Sequence, residues 1–194
     1  MKENSADITN EDLDLYKQWQ ADLELLESFP GEPAFDIMAQ ELREAGPPDR
    51  PELYHSPLII DTDIGGDPDD AIAIAIAARS TPELALVVTS DECGGERARF
   101  ARHYLDLLGR PEVPVVAGRQ LADTRYHVVD GLIPADVPPQ PADVLAAVDH
   151  VTDSTDGPIR WCGIGPLSNL ADVLAARPQL RERLRVTQMG GAIN

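Results

Sequence analysis

The chain has 194 residues, with 34 acidic side chains against 16 basic ones and a formal net charge of -18 at pH 7. That length suits one main domain with a hydrophobic core. A surface this acidic repels a phosphate backbone, so nucleic acid is disfavoured as a partner. No apolar run is long enough to span a membrane, and the acidic amino terminus differs from a signal peptide. We therefore expect a cytoplasmic protein with no membrane partner.

Residues 1–50 are predicted to form an acidic helical appendage that ends in a string rich in proline and glycine, AGPPDRPE. Apolar side chains recur at helical spacing up to Pro30, and a second short helix is expected from about Ala34 to Ala45. Stripes of this kind usually face a core, so we expect both helices to pack on the main domain. The alternative is an arm that binds a partner.

Residues 51–194 are predicted to form an α/β domain. Five apolar runs have the character of buried strands: 57–61, 84–90, 113–117, 159–164 and 185–189. Helical stretches lie between them: DDAIAIAIAARS, GERARFARHYLDLLG, PADVLAAVDHV and PLSNLADVLAARPQLRERL. The first alternates Ala with Ile as a strand would, but its alanines and its acidic start favour a helix. The alternation predicts an open, mainly parallel, Rossmann-like sheet with helices on both faces.

The loops that follow these strands carry the chemistry. The first is LIIDTDIGGDPDD, residues 58–70, in which five aspartates follow an apolar run. Ligands bind beyond the carboxyl ends of parallel strands, so we expect the loops after the first, second, fourth and fifth strands to meet in one crevice. Clustered carboxylates repel one another unless a cation or protons neutralise them. The cluster therefore predicts a site for a hard cation such as Ca²⁺ or Mg²⁺.

A phosphohydrolase of the haloacid dehalogenase type is one alternative. LIIDTD resembles that superfamily's strand with its Asp-x-Asp motif, and ALVVTS resembles its second motif. Two observations weaken the resemblance. Gly65 stands where Thr or Val is expected, and no lysine follows Lys17 to bind a phosphate.

A second resemblance covers more of the chain. DTDIGGDPDDAIAIAIA resembles the amino-terminal signature of the nucleoside hydrolases, a family of calcium-dependent N-ribohydrolases of the inosine-uridine preferring type. Four further segments resemble that family's motifs in the family's order: VPVVAGRQL, YHVVDGL, GIGPLSNLADVLAARP and VTQMGGA. The resemblance runs from about residue 57 to residue 192. It implies hydrolysis of the N-glycosidic bond of a ribonucleoside, or a related N-riboside, to free base and ribose.

The resemblance also assigns roles. Asp63 is the implied base that takes a proton from a Ca²⁺-bound water, and it is also a metal ligand. Asp70 and the main-chain carbonyl of Ile164 are the other implied calcium ligands. Asp67 and Asp69 compete for the contact with ribose, because this loop is two residues longer than the family's shortest form.

Three further positions are assigned: the residue near the base, the brace of the loop, and the replacement for a family Asn. His127 matches a residue near the nucleobase, the alternative being a surface histidine. Asp61 is expected to brace the loop. The family's Asn after the second strand has no counterpart in TSDECGGE, where Asp91 or Glu92 is the replacement expected from sequence.

The family continues beyond Met-Gly-Gly with a substrate loop and a His-Asp pair that completes the calcium shell, whereas this sequence stops at GGAIN. Three explanations of this difference are left open. The chain is a fragment of a longer protein, it is completed by a homo-oligomer or a complementary partner, or it is a non-catalytic relative. The base specificity is left open.

Overall fold

The computed structural model describes residues 10–29, 31, 33–46, 55–121 and 126–190. The chain divides into two compact units, Met1–His55 and Ser56–Asn194. The predicted boundary at residue 50 lies outside the described residues. None of the helices in these ranges combines the length and the apolar character that crossing a membrane requires.

The first unit is a pair of helices, α1 (Asn10–Glu27) and α2 (Pro33–Ala45). The two pack against each other: the Trp19 indole donates a hydrogen bond to the Leu42 carbonyl at 3.1 Å. Arg43 reaches Glu27 across the pair at 2.6 Å. Both helices were predicted from the sequence, although α1 ends at Glu27, three residues before the predicted stop at Pro30.

The second unit is a five-stranded sheet in the order β3-β2-β1-β4-β5, and every neighbouring pair is parallel. The strands are β1 (Leu58–Thr62), β2 (Leu84–Thr89), β3 (Val115–Ala117), β4 (Ile159–Gly163) and β5 (Leu184–Gln188). The helices are α3 (Asp69–Ser80), α4 (Glu96–Leu107), α5 (Val144–Asp153) and α6 (Ser168–Ala176), followed by a 3-10 turn at Pro178–Glu182.

Each face of the sheet has its own core. On one face Ile60 and Val87 pack with Ile74 of α3 and Leu105 of α4. On the other face the strand residues pack with α5 and α6, and the largest fully buried side chain there is Trp161. Alternate strand residues point to opposite faces, so both cores are filled from the same short strands.

The predicted α/β architecture is confirmed, and the Ala/Ile stretch is the helix α3. One expectation was wrong: residues 166–184 are not a single helix. Helix α6 ends at Ala176, and Pro178 begins a separate 3-10 turn. Proline lacks an N–H group and its ring collides with the carbonyl four residues earlier, so the α-helix cannot continue through it.

Candidate active site

The aspartate-rich loop begins at the centre of the sheet. β1 lies between β2 and β4, and the chain crosses to the other half of the sheet between those two neighbours. Ligands of open parallel sheets bind beyond the carboxyl ends of the strands at this kind of switch point. Asp63 follows β1 and Ile164 follows β4, so the fold brings these two positions together.

A cleft of about 430 Å³ opens at this point. Its walls come from the loops after β1, β2, β4 and β5, which confirms that these loops converge. Five carboxylates line it: Asp63, Asp67, Asp69, Asp70 and Asp91. Among the lining residues that the structure describes, Arg97 is the only lysine or arginine. The cleft therefore carries a strong negative potential.

Asp70 is buried at the start of α3, where it faces Asp63. The Thr62 hydroxyl donates a hydrogen bond to its carboxylate at 2.9 Å. Burial first, and then the charge and hydrogen bond of Asp63, raise the pKa of Asp70 to about 7 against the lowering effect of the Thr62 hydrogen bond. Two carboxyl groups in contact share protons or a cation more readily than they both ionise.

Asp61, at 1% exposure, is the most buried aspartate of the loop. The Asn169 amide donates to its carboxylate at 2.9 Å, and Ser90 also hydrogen-bonds to it. Burial raises the pKa of Asp61 to about 7 despite these hydrogen bonds. Asn169 also donates to the Thr89 carbonyl at 3.0 Å, so this amide joins α6 to Asp61 of β1 and to the end of β2 behind the cleft.

Asp63 is half-buried and lies close to the backbone of the loop after β4. A methyl group placed on Gly165 would lie 3.1 Å from the Asp63 carboxylate and 2.7 Å from the Ser90 hydroxyl. Such contacts are too short for a tightly packed side chain to accept without moving. Glycine at position 165 therefore lets Asp63 approach the loop after β4.

The remaining acidic residues divide by exposure and by partner. Asp67 and Asp69 are exposed at the rim of the cleft, open to a ligand. Asp91 lines the cleft, whereas Glu92 is buried and accepts hydrogen bonds from the backbone of Arg97 at 3.2 Å and of Ala98 at 2.9 Å. Glu92 caps α4. Of the two expected replacements for the family's Asn, only Asp91 faces the cleft.

His127 lies beside the cleft and not in its lining, which includes the neighbouring Tyr126. Its ring is 8% exposed and is 2.9 Å from the Asp130 carboxylate through Nδ1. Its Nε2 is buried and has no hydrogen-bond partner within the described segments. The ring packs against Gly65, whose φ of +104° favours glycine.

The oxygen donors of the cleft suit a hard cation in kind, since carboxylates and carbonyls are the ligands that Ca²⁺ and Mg²⁺ prefer. Compared with the six to eight oxygen ligands that Ca²⁺ takes, the donors placed close together are few in number. Across the residues whose placement is described, no group of three or more His, Cys, Asp and Glu side chains is arranged to hold a metal ion.

The model of the inosine-uridine preferring nucleoside hydrolases matches residues 58–194, which include the sheet and every wall of the cleft. The chain belongs to this family. The dehalogenase resemblance, by contrast, rests on residues 58–63 and 85–90 alone. The longer resemblance noted in the sequence is confirmed.

Similar proteins include members with different base preferences. An uncharacterized protein of Schizosaccharomyces pombe is 34% identical over 155 residues, which are 71% of this chain and 49% of that protein. The pyrimidine-specific ribonucleoside hydrolase RihA of an Enterobacter species is 31% identical, over 71% of this chain and 48% of the enzyme. The solved purine-preferring ribonucleoside hydrolase of Gardnerella vaginalis is 28% identical, with a TM-score of 0.54 and coverage of 71% and 49%. The chain spans about half the length of the curated relatives it matches.

Two residues that support the cleft were not singled out from the sequence: Arg97 lines it, and Asn169 lies behind it. Asn169 lies inside the segment GIGPLSNLADVLAARP, whose resemblance to the family was noted, but its own role was not. Arg97 shares a helical face with Ala101 and Leu105, both fully buried. That spacing is the available signal, because it places an arginine on the apolar face of α4.

Proposed function

We propose that this chain forms the catalytic part of a ribonucleoside hydrolase, which cleaves the N-glycosidic bond with water to give free base and ribose. The observation that carries the proposal is the acidic cleft at the switch point of the sheet, in a chain that belongs to this family. Departure of the base leaves a cation-like ribosyl group, and the cleft's carboxylates stabilise that positive charge.

Asp63 is the proposed base. It is half-buried, it faces Asp70, and it lies where the loops after β1 and β4 meet. A general base has to hold its carboxylate within hydrogen-bond reach of the water from which it takes a proton. Gly165 and the Asp70 contact restrict the Asp63 side chain, which favours this role over a mobile surface position.

Asp63, Asp70 and the main-chain carbonyl of Ile164 are the proposed holders of a Ca²⁺ ion. Bound there, the ion would lower the pKa of a water molecule and bind ribose hydroxyls. Support comes from the buried carboxyl groups, whose ionised forms a cation would stabilise. Three protein ligands are fewer than the six to eight of Ca²⁺, so the proposal includes further oxygen donors from water, a second copy or a partner chain.

The substrate contacts are proposed by position. Asp67 and Asp69 are exposed at the rim and accept hydrogen bonds from ribose hydroxyls, with the choice between them left to experiment. His127 is assigned to the base end of the cleft, where its buried Nε2 lies against Gly65. A small-molecule nucleoside in the cytoplasm is the proposed substrate.

The test is release of reducing sugar by the full chain from uridine, cytidine, inosine, adenosine and guanosine, with Ca²⁺ and with EDTA. We expect release from at least one nucleoside with Ca²⁺ and none with EDTA. Calorimetry is expected to show Ca²⁺ binding to the wild-type chain that Asp70→Asn weakens. A chain that binds Ca²⁺ but releases ribose only after a complementary chain is added would support the partner-dependent form. No binding and no release in either case would refute the proposal.

A further inference from the structure

Arg97 is a buried cation at the edge of an acidic cleft. It is the second residue of α4 and is 2% exposed. A guanidinium keeps its charge in a protein, and burial of that charge is costly unless its N–H groups find acceptors. Arg97 must therefore have a set of partners that offsets the loss of water.

Those partners are main-chain carbonyls from three separate loops. Nε donates to the Asp91 carbonyl at 3.0 Å, and Nη2 donates to the Tyr126 carbonyl at 2.9 Å. Nη1 donates to the carbonyls of Asp63 and Ile64, the latter at 2.8 Å. One side chain thus joins the loop after β1, the loop after β2 and the segment that begins at Tyr126.

The backbone of Arg97 is held in place as well. Glu92 accepts hydrogen bonds from the backbone N–H groups of Arg97 and Ala98, and the Thr89 hydroxyl donates to the same carboxylate. These bonds fix the first turn of α4 against the end of β2. The side chain of Arg97 therefore extends from a fixed helical turn toward the loop after β1 and the segment that begins at Tyr126.

We propose that Arg97 is a positioning residue for the reaction described above: its guanidinium fixes the Asp63 loop against the Tyr126 segment and so sets the width of the cleft. The inference rests on the proposed function for its effect on turnover. The inference that Arg97 holds the two segments together rests on the hydrogen bonds of its guanidinium alone. Val128 donates to the Gly65 carbonyl at 2.8 Å, a second link between the same two segments that reports whether they stay together.

The geometry requires arginine and not merely a positive charge. Lysine offers three donors on one nitrogen, whereas the carbonyls around Arg97 belong to three loops and meet a planar fork. Arg102, on the same helix, is a matched control. It donates to the carbonyls of Arg110 and Val113, which precede β3 at the opposite end of the sheet.

The experiment compares Arg97→Lys with Arg102→Lys in the full chain, at a temperature where circular dichroism shows both folded. We expect Arg97→Lys to lower kcat on the order of 100-fold with KM changed less than about threefold, because a displaced base affects the chemical step most. Hydrogen exchange at Val128 is expected to rise about tenfold in Arg97→Lys and to stay at the wild-type rate in Arg102→Lys.

Each outcome decides the inference. A kcat for Arg97→Lys within about threefold of wild type, with unchanged exchange at Val128, overturns it. If Arg97→Lys does not fold, Arg97→Gln replaces it, with the same expected loss. A wild-type chain without ribosidase activity would count against the proposed function alone. Hydrogen exchange at Val128 then tests the positioning role of Arg97. Faster exchange in the Arg97 variant but not in Arg102→Lys supports that role, and exchange at the same rate in both variants overturns it.

Discussion

The carboxyl end of the sheet buries carboxyl groups, whereas the arginines at its amino end are only partly buried. At the amino end, arginines donate to main-chain carbonyls: Arg110 to Ala78 at 2.7 Å, and Arg183 to Gly157 at 3.1 Å. At the carboxyl end, Asp61 and Asp70 are buried carboxyl groups whose pKa rises to about 7. Arginines satisfy main-chain carbonyls at both ends, as Arg97 does beside the cleft. The carboxyl end in addition retains carboxyl groups in surroundings that disfavour their ionised form. Such groups cluster where proteins bind ligands and perform chemistry.

The largest contrast is expected from one substitution made at each end. Asp63→Asn should lower ribose release on the order of 1,000-fold, because the amide cannot accept a proton from water. Asp153→Asn, at the exposed last residue of α5, should leave release unchanged. Steady-state kinetics on the preferred nucleoside would measure both. An Asp63→Asn chain that keeps more than about a tenth of wild-type kcat would exclude Asp63 as the base.

The buried acids should also make stability depend on pH when no cation is present. Their folded pKa values, about 7, exceed the ordinary value of 3.8, so the folded state binds more protons between these limits. The free energy of unfolding in EDTA should therefore fall as pH rises from 5 to 8, by about 2 kcal/mol for each of the two acids.

Urea unfolding across that range would measure this fall. Asp61→Asn cannot ionise at position 61 and should show a shallower dependence on pH than wild type. Equal slopes for the two proteins would remove Asp61 from the explanation. A stability that rises from pH 5 to pH 8 would show that these acids ionise readily in the folded chain.

Glycines at the two ends should tolerate a methyl group differently. Gly165→Ala places the new carbon 2.9 Å from the Asp63 backbone nitrogen, so we expect Asp63 to shift and kcat to fall by about 10-fold to 100-fold. Gly157→Ala, before β4, meets only the Thr155 hydroxyl at 3.4 Å and should be active. Kinetics and thermal melts of both variants would test the contrast. Equal kcat values would mean that the approach of Gly165 to Asp63 is unimportant for turnover.

The smallest expected effect is on stability at the amino end. Arg183→Met removes donors to the carbonyls of Gly157 and Thr152, at 3.1 Å and 3.2 Å, and should lower the free energy of unfolding by about 2 kcal/mol. The exposed Arg181→Met should cost less than about 0.5 kcal/mol. Neither variant should change KM, because both positions lie far along the strands from the cleft. A change in KM for Arg183→Met would contradict the division between the two ends.

Much of this arrangement could be predicted before the structure. Strand and helix alternation predicted the parallel sheet, and the position of the aspartates after β1 predicted which edge carries the cleft. Both follow from local patterns, because periodicity and turn residues act over a few neighbouring positions. The end of α6 was missed, although Pro178 was visible, since the apolar pattern continues past it to Leu180 and Leu184.

The sequence by itself determined the sheet, the order of its loops and the identity of the acidic cluster. Only the tertiary structure decided which aspartates are buried: Asp61 contacts Asn169 of α6, and Asp70 folds back onto Thr62 at the end of β1. It likewise separated Glu92, which accepts hydrogen bonds from the first turn of α4, from Asp91, which faces the cleft. The role of Arg97 depends on carbonyls up to 34 residues away, and hydrogen bonds over such distances leave no local pattern to recognise.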